Sequence, residues 1–203
     1  MGYYLRVLGK YNRLVPVSDF KQFLEQNDIN VNLKVTGDEN DWDQILVEYR
    51  NGKSIFLIER DPVEHNSPGQ EEIDEFFEEI EGEKPESAVK WLKAYLPQVT
   101  VIYAIEVLCG MGDENGWKVI RACQGLIWNT TKGILQADYE VFSNEDGFHI
   151  LWQFSDDADG PWQMAIRNWF GGWTKFQMDL GNPEQRAAFL RGSVPRGVSK
   201  ISL

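Results

Sequence analysis

The stretch from Ile134 to Phe154 carries two carboxylates and an imidazole at spacings that could do chemistry. Leu135, Ala137, Tyr139 and Val141 alternate with Gln136, Asp138 and Glu140, and Phe148, Ile150, Trp152 and Phe154 alternate with His149, Leu151 and Gln153. A period of two is that of a half-buried strand. With a four-residue loop at Asn144 to Gly147, the two runs form one hairpin with both apolar sets on one face. Asp138, Glu140, His149, Gln136 and Gln153 then share the other face, where two carboxylates beside an imidazole could act as general base and acid or as metal ligands. The same pattern also describes the solvent side of an antiparallel sheet, which is polar by construction.

Other motifs are weaker. "CGMGDENG", Cys109 to Gly116, has the outline of a dinucleotide-binding turn, but its glycines are spaced G-x-G-x-x-x-G, and Asp113 and Glu114 would repel a pyrophosphate. "SDDADG", Ser155 to Gly160, begins like a calcium loop, yet Ile166 stands where the bidentate Glu belongs. Asp159 there is expected to cap a helix starting at Pro161. Cys123 shares a helical face with Val119, Ile120 and Ile127 and reads as a buried apolar residue, while Cys109 ends an apolar strand. His65 lies in a loop punctuated by Pro and Gly. No metal or cofactor is expected.

Trp162, Ala165, Ile166 and Trp169 fall at i, i+3, i+4 and i+7, which predicts a helix from Pro161 stopped by Gly171-Gly172, with Trp173 beyond it. If Trp162, Trp169 and Trp173 line a cavity or stay exposed, this Trp-rich region becomes a candidate ligand platform.

The most unusual feature is electrostatic. "EEIDEFFEEIEGEKPE", residues 71 to 86, holds nine carboxylates and one lysine. Ile73, Phe76, Phe77 and Ile80 form a helical stripe, and acids fill the remaining positions from 71 to 81. A solvated helix face normally interleaves cations at i+4, and like charges without them cost stability. Such a surplus suits a face that steers a basic partner, so Glu71, Glu72, Glu75, Glu78 and Glu79 are candidate contact residues.

The elements that must position these residues follow from local patterns. "YYLRVLGK" and "VNLKVTG" read as strands around a helix in which Ser18 is the expected N-cap and Phe20, Phe23 and Leu24 face inward. Asn51-Gly52 predicts a hairpin that pairs Tyr49 with Ser54, Val47 with Phe56 and Ile45 with Ile58. After the acidic helix, Pro85 opens another that ends at Pro97. A strand over 99–108 and a helix over about 115–128 precede the second hairpin, and a last helix runs from Pro183 to Arg191. The residues after Glu184 include Arg186, Arg191, Arg196 and Lys200 and no acid, a pattern expected of a mobile basic tail. The expected fold is α+β, mainly antiparallel sheet flanked by helices, with two βαββ-type halves at 1–97 and 98–203 packed into one unit. A shared element order also arises without duplication.

Composition bounds the function. A chain of 203 residues that is 42% hydrophobic and 13% aromatic builds a packed core despite a net charge of -12. That charge disfavours nucleic acid, which needs cations to neutralise phosphates. Two cysteines make no disulfide framework, the longest apolar run carries Glu106, and nothing resembles a signal peptide. A bacterial, cytoplasmic location is expected, with no membrane contact. The leading expectation is a non-catalytic, immunity- or adaptor-like protein that binds a basic protein. The alternatives are a hydrolase-type enzyme using the second hairpin's polar face, or a small-ligand binder using the Trp-rich region.

Overall fold

The computed structural model describes residues 2–109, 114–153 and 157–201. In chain order its elements are β1 (Tyr3–Gly9), α1 (Val17–Gln26), β2 (Val31–Asp38), β3 (Asp41–Tyr49), β4 (Ser54–Pro62), α2 (Pro68–Glu79), α3 (Glu86–Tyr95), β5 (Val101–Val107) and α4 (Glu114–Thr131). Then follow β6 (Ile134–Ala137), β7 (Val141–Ser143), β8 (His149–Trp152), β9 (Pro161–Arg167), β10 (Trp173–Asp179), α5 (Pro183–Leu190) and β11 (Ser199–Ile201). The fold is α+β, and nearly all its strand pairs are antiparallel. Two compact units make up the chain, the first from 1–71 with 99–138 and the second from 72–98 with 139–203. The chain therefore passes between units at 71/72, 98/99 and 138/139.

In the first unit the strand order is β6-β1-β5-β4-β3-β2. β1 runs antiparallel to both β5 and β6, with Leu5 opposite Ile105 on one side and Ala137 on the other. β5 and β6 are thus parallel to each other with β1 between them, a split β-α-β arrangement closed by α4. β5 and β6 flank β1 in this unit, while β7 and β8 lie in the other.

Helices α1 and α4 pack on each other over a core in which Val17, Phe20, Leu24, Val119, Ile120, Cys123 and Ile127 meet Ile45, Val47, Phe56, Ile58, Tyr103 and Ile105. The expected helical spacings account for these contacts. Ser18 is not the N-cap, however. Pro16 occupies that position without a side-chain cap, and the Ser18 hydroxyl turns to Asp19. Buried Trp42 donates its indole N–H to the Val15 carbonyl at 2.8 Å, and the Tyr103 hydroxyl accepts from Val15 N–H at 3.2 Å and donates to the Arg13 carbonyl at 2.8 Å. These bonds fasten the loop between β1 and α1 to the sheet.

The second unit orders its strands β11-β10-β9-β8-β7, with β8 and β9 parallel and the other pairs antiparallel. Helix α3 lies against β8 and β9, and Phe189 of α5 joins Met164, Phe176, Met178 and Leu180 in a buried cluster. The C-terminal segment is pinned, because β11 pairs with β10 and places Lys200 opposite Phe176. This corrects the mobile tail expected from its charge. Asn182 caps α5, its side-chain oxygen accepting from the N–H groups of Glu184 and Gln185.

Three hairpins share one turn. Tyr49 N–H bonds to Lys53 O, Asn144 N–H to Phe148 O and Asn168 N–H to Gly172 O, and each three-residue loop ends in a glycine at φ near +80°. This is a type I turn closed by a glycine bulge, which right-twisted strands accommodate. The first hairpin keeps the expected pairs Val47 with Phe56 and Ile45 with Ile58, but the bulge puts Glu48, not Tyr49, opposite Ser54.

Candidate functional site

The hairpin expected over 134–154 does not form as one unit. Tyr139 has φ of +55°, which ends β6, and β6 then pairs with β1, leaving β8 to pair with β7. Val141 faces Trp152 and Ser143 faces His149, so the register also differs from the one a four-residue loop would set. Phe154 lies outside the described residues.

The trio is divided accordingly. Asp138 accepts from the backbone N–H of Tyr4 at 3.1 Å and pairs with the Arg6 guanidinium, which also donates to the side-chain oxygen of buried Gln136 at 3.0 Å. All of these residues belong to the first unit, where the carboxylate locks β6 to β1. Glu140 and His149 belong to the second unit. Glu140 is half-buried, and its backbone oxygen accepts from Gln153 N–H at 2.7 Å.

His149 is packed against the Trp162 ring, centroid to centroid 5.2 Å, and burial pushes its pKa down to about 4. Its Nδ1 is buried without a hydrogen-bond partner among the described residues, as is the side-chain oxygen of Gln153. At neutral pH this imidazole is uncharged and is a weak base, since an efficient general base has a pKa near the working pH. Asn144, fully buried, spends its side-chain oxygen on the N–H groups of Asp146 and Phe148 and so builds the turn.

The helix expected from Pro161 is instead strand β9, joined to β10 by the turn at 168–172. Met164, Ala165 and Ile166 are buried in succession, which a helix stripe does not do but a strand covered on both faces does. The i, i+3, i+4 spacing of aromatic and apolar residues was thus shared by chance between two periods. The signal that identifies the turn is Asn-x-x-Gly, present both at Asn144 to Gly147 and at Asn168 to Gly171. In the second copy the Asn168 side-chain oxygen accepts from Phe170 and Gly172 N–H groups. Asp159 caps no helix; its carbonyl accepts from the Trp162 indole at 3.2 Å.

This change of element redistributes the three tryptophans. Trp162 is half-buried against His149, and Trp173 sits at the hairpin base between Trp91 of α3, 5.2 Å away edge-on, and the Arg167 guanidinium, 4.9 Å above its ring. Trp169 is 97% exposed and its neighbour Phe170 95% exposed, both on the tip of a hydrogen-bonded turn. Two adjacent aromatic side chains held in water on a hydrogen-bonded turn expose apolar surface whose burial would be favourable at little cost in backbone order.

The acidic helix forms as the spacing predicts, and begins three residues earlier. Ser67 caps it, accepting from Gln70 N–H at 3.2 Å. Ile73, Phe76 and Ile80 are buried, with Phe76 edge-on to Phe142 at 5.6 Å, and Phe77 is half-buried. Glu71, Glu75 and Glu78 are exposed, and their carboxylates have no ion-pair partner among the described residues. Glu72 and Glu79 are half-buried and engaged. Past the helix end, Lys93 of α3 pairs with Glu81.

Cys123 is buried, which pushes its thiol up to about 12, and Cys109 is exposed. His65 is exposed in the loop before α2. Of the glycine-rich turn, residues 110–113 lie outside the described residues, as do Ser155 and Asp156 of the acidic loop. Among the described residues no cluster of His, Cys, Asp and Glu is arranged to hold a metal ion, and no helix is long and apolar enough to cross a membrane. No known protein family, curated protein or solved structure matches the chain.

Proposed function

We propose that the protein is a non-catalytic binding protein, immunity- or adaptor-like, that contacts a basic protein in the bacterial cytoplasm. The observation that carries this reading is the face of α2 with Glu71, Glu75 and Glu78 exposed and without an ion-pair partner among the described residues. Uncompensated charge of one sign raises the encounter rate with an opposite surface and adds little to the folded state. Glu72 and Glu79 flank the same face. The Trp169–Phe170 tip supports an added role as the apolar anchor, since interfaces concentrate their energy in aromatic residues that become fully desolvated.

A hydrolase built on Asp138, Glu140 and His149 has less support, because Asp138 is held by Arg6 and His149 is a weak, buried base. A ligand platform of Trp162, Trp169 and Trp173 is weakened likewise, since the first and last pack against His149 and Trp91.

The test is affinity capture from a lysate of the source organism at low and moderate salt, followed by titration of the purified captured protein. Three baits run in parallel: the wild type, Glu71→Gln/Glu75→Gln/Glu78→Gln, and Trp169→Ser/Phe170→Ser. Loss of three exposed pairs should weaken binding about tenfold and flatten its salt dependence. An affinity and salt slope unchanged by the triple substitution would refute the role of α2.

A further inference from the structure

We infer that the cleft between α5 and the segment leading to β11 is a binding site for a small organic anion, a carboxylate or phosphate carried on an apolar body. The cleft encloses about 480 Å³. Arg191 and Arg196 both line it, both are exposed, and neither has an ion-pair or hydrogen-bond partner for its guanidinium among the described residues. In a chain of net charge -12, two open guanidiniums on one cleft are a local reversal of sign.

The third arginine of the region shows what a structural role looks like here. Arg186 donates to the carbonyls of Leu180 and Ala158 and lies 4.8 Å over the Trp152 ring, so its donors are used inside the fold. Arg191 and Arg196 hold no such contacts among the described residues.

The rest of the lining agrees with an anion. The Asn182 side-chain oxygen is spent capping α5 and that of Gln185 accepts from Asp179 N–H, so each amide offers its NH₂ group as a donor. Ser193 adds a hydroxyl. Among the described residues the one acid in the lining is Glu184. Donors therefore outnumber acceptors, and guanidinium pairs with oxyanions through charge-assisted, often bidentate bonds. Ala187, Ala188, Val194 and Pro195 form the apolar wall, which a bare inorganic ion would not use.

The cleft is also preformed. At one side α5 ends in backbone bonds from Gly192 N–H to Phe189 O and from Ser193 N–H to Ala188 O. At the other, β11 is hydrogen-bonded to β10, and Pro195 between them is buried. A segment tied at both ends loses little conformational freedom when a ligand arrives.

The experiment is an amide and arginine side-chain NMR titration of the ¹⁵N-labelled full chain with four probes: phenyl phosphate, benzoate, inorganic phosphate and benzyl alcohol. The expected result is saturable shifts at Arg191, Gly192, Ser193 and Arg196 with phenyl phosphate or benzoate, weaker ones with inorganic phosphate, and none with benzyl alcohol. The arms separate a phosphate from a carboxylate preference. Arg191→Ala/Arg196→Ala should weaken binding about tenfold or more. Glu184→Gln, which removes the one like charge, should tighten it about two- to threefold and decides the matter if the double variant fails to fold. Absence of saturable shifts with either aromatic anion overturns the proposal. So does binding that is unchanged in both the arginine and the glutamate variants.

Discussion

Lowering the pH from 7 to 5 should destabilise the second unit through His149. The imidazole titrates near 6.5 in the unfolded chain, and burial lowers that to about 4 in the fold. A base with a depressed folded pKa contributes stability that is fully present above the unfolded value and is lost as pH falls toward the folded one. The window is therefore pH 6.5 to 4, and pH 5 lies about 1.5 units into it. At about 1.36 kcal/mol per unit the loss is about 2 kcal/mol, a large share of a domain's stability. Burial is the cause of the shift, and among the described residues no carboxylate contributes to offset the cost of charging the ring beside Trp162. Urea unfolding at pH 7 and pH 5, for the wild type and for His149→Phe, reads the difference, because the remaining groups titrate equally in both proteins. An NMR titration of the His149 ring supplies the second reading. A His149 ring that titrates near 6.5 in the folded protein refutes this account, as does an equal loss of stability in the two proteins.

The β9–β10 turn separates conformation from exposure. Gly171→Ala, at φ of +81°, should cost about 1 kcal/mol in thermal unfolding, whereas Trp169→Ser/Phe170→Ser should leave the melting temperature within about 2 °C because both rings already lie in water. For the β1–β6 lock, Asp138→Ala removes the carboxylate from a partly buried ion pair and should cost about 1–3 kcal/mol, with the additional loss on adding Arg6→Ala smaller than that of Arg6→Ala alone. Chemical denaturation across this double-mutant cycle checks it, and full additivity would show that the pair is not coupled.

Periodicity and turn residues sufficed for what is local. The α2 stripe at Ile73, Phe76 and Ile80, the Asn51–Gly52 hairpin with its Val47–Phe56 pair, the helix carrying Cys123 and the start of α5 at Pro183 all rest on neighbours within a few positions, so the sequence alone determined them. The acid surplus of α2 was legible for the same reason.

Long-range pairing decided the rest. Whether β6 binds β8 or β1 depends on contacts more than a hundred residues away, and the Arg6–Asp138 pair that accompanies β6's place leaves no trace in the local pattern. The residues from Trp162 to Trp169 fit a helical and a strand period equally well, and burial on both sheet faces removed the alternation that would have told them apart. Only that tertiary choice put Trp169 and Phe170 on an exposed tip rather than in a core. It also returned the C-terminal segment to the sheet, bringing Arg191 and Arg196 to one cleft.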